Sequence, residues 1–158
     1  MADRRSAYLD ALHLLARREL SVAECRARLL AKDHPPEEID AAVAHLLETR
    51  ALDDERVARA FARTALTVKG RGRLRVQREL QEKGIPRDTA AAALAEVFGD
   101  TDERSLVAKA VKKRLHGRAP RDRAESARLY QYLMRQGFTS ATVMETLRKL
   151  PGGSGEDL

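Results

Sequence analysis

The stretch VQRELQEKGIPRDTAAAAL, residues 76–94, decides the fold of this 158-residue chain because the chain repeats it. The same spacing of apolar residues around one glycine returns 53 positions later, in LYQYLMRQGFTSATVMETL, residues 129–147. A weaker copy lies 51 positions earlier, with Asp33 in the place of Gly84. A near-constant period of this length indicates a repeat protein, in which each unit stacks on its neighbour to bury its apolar face.

The glycine of each copy predicts the end of a helix. A helix commonly ends at a residue in the left-handed conformation, which glycine adopts freely and aspartate tolerates better than most residues. We therefore expect Gly84, Gly137 and Asp33 to be equivalent caps.

No segment alternates with period two, so the pattern predicts an all-α chain of nine helices in three units. We place the units at residues 6–51, 52–99 and 100–150, followed by a flexible tail over residues 151–158. Leu9, Leu12, Leu15 and Ala16 are the expected apolar stripe of the first helix.

Composition narrows the class of partner. Charged residues make up 34% of the chain and aromatic residues 4%, and the net charge of +6 favours an acidic partner such as nucleic acid or an acidic protein surface. A single cysteine excludes an internal disulfide. We find no apolar run long enough to span a membrane and no signal-peptide core, so we expect a cytoplasmic protein without a membrane partner.

The sequence offers little for catalysis. It contains no phosphate loop, no complete dinucleotide fingerprint and no nucleophile elbow. The four histidines show no metal-ligand spacing. Cys25 and His34 fall on apolar columns, which favours packing roles. We expect no catalytic residue, no cofactor and no metal, and therefore no enzyme.

Basic residues cluster where the connection between the first and second helices lengthens from unit to unit. We assign Lys69, Arg71 and Arg73 to this connection in the second unit, and in the third unit Lys112, Lys113, Arg114, Arg118, Arg121 and Arg123. Such insertions in stacked repeats often form a binding face. For Arg78 a solvated helix face is an equally good interpretation, whereas the cations around Gly70 and Gly72 suit anions or carboxylates, with accessible backbone amides. The candidate partner-binding or DNA-binding residues are Lys69, Arg71, Arg73, Arg75, Arg78, Lys113, Arg114, Arg118, Arg121 and Arg123.

The last two helices of each unit also imitate a helix-turn-helix. The would-be reading helices are Pro36–Leu47, Pro86–Phe98 and Ser140–Leu150. The first is acidic and the second is mostly alanine, and neither carries the Arg, Asn or Gln pairs that read base edges. Sequence-specific DNA binding is disfavoured, while non-specific phosphate contact stays open.

Two parts of the sequence resemble a known family. The residues Leu52–Arg56 through Phe61, then Gly70–Gly72 and Arg78–Ile85, are similar to the RecX regulators of bacterial RecA recombinase, as are Leu129–Tyr130 and Leu133–Phe138. The resemblance covers residues 7 to 150. Asp33 and His34 depart from it, because the family more often has glycine and an aromatic residue there.

The resemblance implies three tandem three-helix units in an elongated, curved molecule. It implies binding along the RecA–DNA filament and suppression of its ATPase, strand-exchange and co-protease activities, in homologous recombination, DNA repair and the SOS response. Members of this family can also touch DNA, non-specifically, and we expect a monomer. Two alternatives remain: a non-specific single- or double-stranded DNA-binding protein acting without a recombinase, and a helical adaptor for an unrelated protein.

Overall fold

A computed structural model describes residues 5–151, and these form nine α-helices and no β-strand. The helices are α1 Ala7–Arg17, α2 Val22–Leu30, α3 Pro36–Glu48, α4 Asp54–Thr67, α5 Arg73–Glu82, α6 Arg87–Phe98, α7 Glu103–Leu115, α8 Arg123–Gln136 and α9 Ser140–Arg148. The predicted all-α fold is confirmed for this part of the chain. Of the tail predicted at residues 151–158, all but Pro151 lie outside the described residues.

Local sequence explains where the helices begin. Ser21 caps α2 in a capping box: its side chain accepts a hydrogen bond from the Glu24 amide, and the Glu24 side chain accepts one from the Ser21 amide. Asp102 and Asp122 cap α7 and α8 with their carboxylates. Proline at the first position starts α3.

The described residues divide into two compact units, of which the first comprises residues up to Phe61 together with Glu79–Ala93. Here α1, α2 and α3 pack against one another in pairs. Cys25, Leu29, Val43 and Leu46 are fully buried in this core, so Cys25 packs as expected for a small apolar residue.

The stripe predicted for α1 is partly wrong. The helix buries Ala7, Asp10 and Ala11, whereas Leu9 is 47% exposed. The reason is a polar pair that the sequence did not suggest. His34 is buried, and its Nε2 donates to Oδ2 of Asp10 at 2.7 Å, which turns the aspartate face of α1 inward and lowers the pKa of the Asp10 carboxyl.

The second unit comprises Ala62–Arg78 and the residues from Leu94 onward. In it α7, α8 and α9 pack pairwise around Leu129, Leu133, Phe138 and Val143. The Glu103 carboxylate accepts hydrogen bonds from the Thr139 amide and from the Thr139 and Thr142 hydroxyls. Burial alone would raise the pKa of Glu103, but these bonds outweigh burial and lower it. The carboxylate thus connects the first turn of α7 to the first turn of α9.

The predicted helix caps are confirmed at all three equivalent positions. Asp33, Gly84 and Gly137 have φ angles of 62°, 73° and 97°, the left-handed region. After Gly137 the chain turns directly into the buried Phe138, which covers the helix end.

Candidate partner-binding surface

In the first compact unit, the turn after α5 is fixed to the start of α2. The Ser21 hydroxyl donates to the Lys83 carbonyl, and the Val22 amide donates to Oδ1 of Asp54 at 2.9 Å. The Lys83 ammonium lies 3.6 Å from Glu24. A Cβ on Gly84 would clash with the Cβ of Ala23, so glycine is required there for close approach as well as for its left-handed backbone.

The second compact unit contains the same arrangement one repeat later. The Gly72 amide donates to the Gln136 carbonyl at 2.8 Å, and the Leu74 amide donates to the Gly137 carbonyl at 3.1 Å. A Cβ on Gly137 would lie closer than 3 Å to backbone atoms of Arg75. Gln136 follows Lys83 by the same 53 positions that separate the two sequence copies. We call each of these contacts, Ser21–Lys83/Gly84 and Gly72/Leu74–Gln136/Gly137, a glycine joint.

The second glycine joint contradicts one prediction for the segment around Gly70 and Gly72. We expected accessible amides around Gly70 and Gly72, suited to anions. The Arg71 amide instead donates to the Ala65 carbonyl at 2.9 Å, and the Gly72 amide belongs to the joint. The segment contributes side-chain charges to a surface, while these two amides stabilise the fold.

The structure places all ten predicted binding residues in the second compact unit. Most of them lie on helices, contrary to our assignment of Arg73, Lys113, Arg114 and Arg123 to the lengthened connections. Because α5 begins at Arg73, α7 continues to Leu115 and α8 begins at Arg123, only Lys69, Arg71, Arg118 and Arg121 lie between helices. Three cations in the last turn of α7 suit the negative end of its dipole, which explains why the helix extends through them.

Helix α8 contacts both of the segments that carry the predicted binding residues. The Arg114 guanidinium lies over the ring of Tyr132, 4.7 Å from its centroid, in a cation–π contact. One helical turn further on, Gln136 holds the segment that carries Lys69 to Arg78 through the joint. We define the basic surface as the ten predicted residues, which these two segments carry.

Exposure varies within the basic surface. Arg71 and Arg75 are half-buried, and each makes further interactions with other groups. The other eight residues are exposed. These eight are therefore better placed to meet a partner.

Arg118 is held by an acidic neighbour. Its guanidinium donates two hydrogen bonds to the Glu125 carboxylate, one of them 2.9 Å long, and the Arg121 amide donates to the same carboxylate. These contacts lower the pKa of Glu125 to about 2. The charge of Arg118 is thus matched within the fold, which makes it the weakest member of the basic surface.

Within residues 5–151 we find no group of three or more acidic, histidine or cysteine side chains that could hold a metal ion. Over the same residues, no helix is long and apolar enough to cross a membrane.

Sequence comparisons identify the three repeats. Residues 7–46 match the family model described as the first three-helix domain of RecX, residues 53–94 match the second, and residues 102–147 match the third. The regulatory protein RecX of Halorhodospira halophila is 36% identical over 135 residues, which are 84% of this chain and 81% of that protein. The chain belongs to the RecX family.

Other RecX proteins extend the likeness over nearly the whole chain. The regulatory protein RecX of Chromobacterium violaceum is 33% identical over 156 residues, which are 99% of this chain and 96% of that protein. The crystal structure of RecX from Lactobacillus salivarius superposes with a TM-score of 0.70 at 19% identity, covering 90% of this chain and 93% of that chain. The prediction of three tandem three-helix repeats is confirmed, and family membership makes this chain a regulatory protein of the RecX type.

Proposed function

We propose that this chain inhibits RecA recombinase by binding the RecA–DNA filament through the basic surface. The observation that carries the proposal is the contact of both cation-bearing segments with α8, in a chain of the RecX family. Exposed cations attract acidic side chains and phosphates, and both are available on a nucleoprotein filament.

Several weak contacts give the proposed binding its strength. Exposed ion pairs each contribute little free energy, but contacts made together from one rigid segment act at high effective concentration. A chain bound across neighbouring filament subunits would oppose the rearrangements that ATP turnover requires. Suppression of ATPase, strand-exchange and co-protease activities then follows from one binding event, without catalysis by the chain itself.

Co-sedimentation tests the proposal. The full chain is spun with purified RecA, with single-stranded DNA, and with RecA–DNA filaments formed with nucleotide. We expect selective sedimentation with the filament, and a fall in RecA ATPase in proportion to the amount bound. Filament ATPase that stays unchanged when the chain is bound would contradict the proposal.

The exposed cations beside the Arg114–Tyr132 pair favour one second candidate, a DNA-binding protein that acts without a recombinase. Phosphate contacts of that kind require no base-reading helix. This candidate predicts equal sedimentation with bare DNA and with filaments, and an affinity that falls steeply with salt. A shallow salt dependence together with filament selectivity would favour the recombinase.

A further inference from the structure

A basic pocket lies in the first repeat, outside the basic surface. It has a volume of about 400 Å³ and is lined by Arg5, Asp10, His13, Leu14, Arg17 and Lys32. A cavity needs only about 10–15 Å³ of such volume to hold a water molecule, so this space is large enough for a small oxyanion.

The side chains that line the pocket carry more positive than negative charge. Arg5 and Lys32 approach the same oxygen of Asp10, with their nitrogens 3.7 and 4.0 Å from Oδ1. The other oxygen of Asp10 is already bound by the buried His34. Arg17 lines the same pocket, so three cations and one carboxylate are among its lining side chains.

Donors converge on the pocket from two directions. His13 and Arg17 belong to α1 and Arg5 lies two residues before it, whereas Lys32 lies in the turn after α2. The Arg5 guanidinium donates to Nδ1 of His13 at 3.0 Å, which fixes the remaining ring proton on Nε2. Guanidinium groups match tetrahedral oxyanions with paired N–H donors.

We propose that this pocket binds a phosphate group. Arg17, Arg5 and Lys32 supply the charge and the donors, while the Asp10–His34 pair holds the floor of the pocket in place. The site is independent of the proposed inhibition of RecA, since it uses no residue of the basic surface.

An NMR titration of the full chain with inorganic phosphate, at constant ionic strength made up with chloride, tests the site. We expect amide shifts in the second half of α1 and around Lys32 that saturate as one site. Arg17→Gln should weaken the apparent phosphate affinity about tenfold, equivalent to about 1.4 kcal/mol. Arg28→Gln, which removes an exposed charge of α2 outside the pocket, should change the affinity less than twofold.

Two further ligands distinguish the sources of the phosphate group. Tighter binding of a trinucleotide with a 5′-terminal phosphate than of the same trinucleotide without it would support a phosphate monoester as the ligand. Equal binding of both, still lost in Arg17→Gln, would support a nucleic-acid backbone phosphate. Equal losses in Arg17→Gln and Arg28→Gln, or shifts spread over all basic surfaces, would overturn the proposal.

Discussion

Replacing Gly137 by alanine should destabilise the protein through two separable effects. Its φ of 97° lies in the left-handed region, where an L-residue costs about 1–2 kcal/mol. Its new Cβ would also lie closer than 3 Å to the backbone of Arg75, and overpacking of this kind costs about 1–3 kcal/mol. Alanine also restricts the conformations of the unfolded chain, which offsets about 0.4–1 kcal/mol of this loss in stability. We expect a net loss of about 3 kcal/mol in the free energy of unfolding, within a range of about 1–5 kcal/mol.

Two other glycines separate the two effects. Gly117 has a φ of 79° but open space around its Cβ position, so Gly117→Ala carries only the backbone cost, a net loss of about 1 kcal/mol. Gly72 has no left-handed backbone, but its Cβ would lie against the Gly137 carbonyl, so Gly72→Ala carries only the clash. Gly137→Ala should lose more stability than either control.

Urea unfolding followed by circular dichroism measures these differences. The midpoint should fall in the order Gly117→Ala, Gly72→Ala, Gly137→Ala, with the slope against urea unchanged if the native state keeps its buried area. If Gly137→Ala and Gly117→Ala unfold at the same midpoint, the close approach at the second glycine joint contributes nothing to stability. The argument from the joint would then be wrong.

Three further outcomes are expected. Contacts within the fold lower the pKa of Glu125 to about 2 from its usual 4.5. The stability that they contribute is therefore fully present above about pH 4.5 and is lost as the pH falls toward 2. In acid unfolding, the free energy of unfolding of Glu125→Gln should depend less on pH within this range. Ser21→Ala should lower the free energy of unfolding by about 1–2 kcal/mol, which is more than Ser6→Ala should. The reason is that Ser21 caps α2 and also donates a hydrogen bond across the first glycine joint, whereas the exposed Ser6 only caps α1. Equal losses of the two variants in chemical unfolding would show that the hydrogen bond across the joint contributes nothing. Reversing three exposed charges of the basic surface should abolish co-sedimentation with RecA filaments and leave helicity unchanged, while reversing three exposed charges elsewhere should not; equal effects of the two triple variants would refute the proposed surface. The first set is Lys69, Arg73 and Arg78, and the second is Arg28, Arg87 and Arg148.

The helical pattern could be read from the sequence because it depends on local features. Apolar spacing, capping residues and the glycine column indicate the helices and their caps, and these interactions join residues within a few positions of each other. The unequal copy at Asp33 was also recognisable, since aspartate tolerates the same left-handed backbone.

Long-range polar contacts could not be read in the same way. The pair of His34 with Asp10 joins residues 24 positions apart, and no local rule favours an aspartate on the buried face of α1. The ion pair of Arg118 with Glu125 was in principle visible, because a glutamate three residues after the Asp122 cap often turns back toward the chain before it. Its charge alone makes Arg118 a candidate binding residue, with no acidic partner assigned from the sequence.

The two glycine joints show why equivalent positions of the repeats carry different residues. In the first joint the hydroxyl of Ser21 reaches the carbonyl before Gly84, whereas in the second the backbone amide of Gly72 reaches the carbonyl before Gly137. A side chain at Gly72 would meet the Gly137 backbone, so the second version requires a closer approach of the two main chains. The cations on either side of Gly72 are therefore attached to a segment whose position is set by backbone packing. Charge reversal should change binding without moving this segment, and glycine substitution should move it without changing its charge, so the two kinds of variant test function and geometry independently.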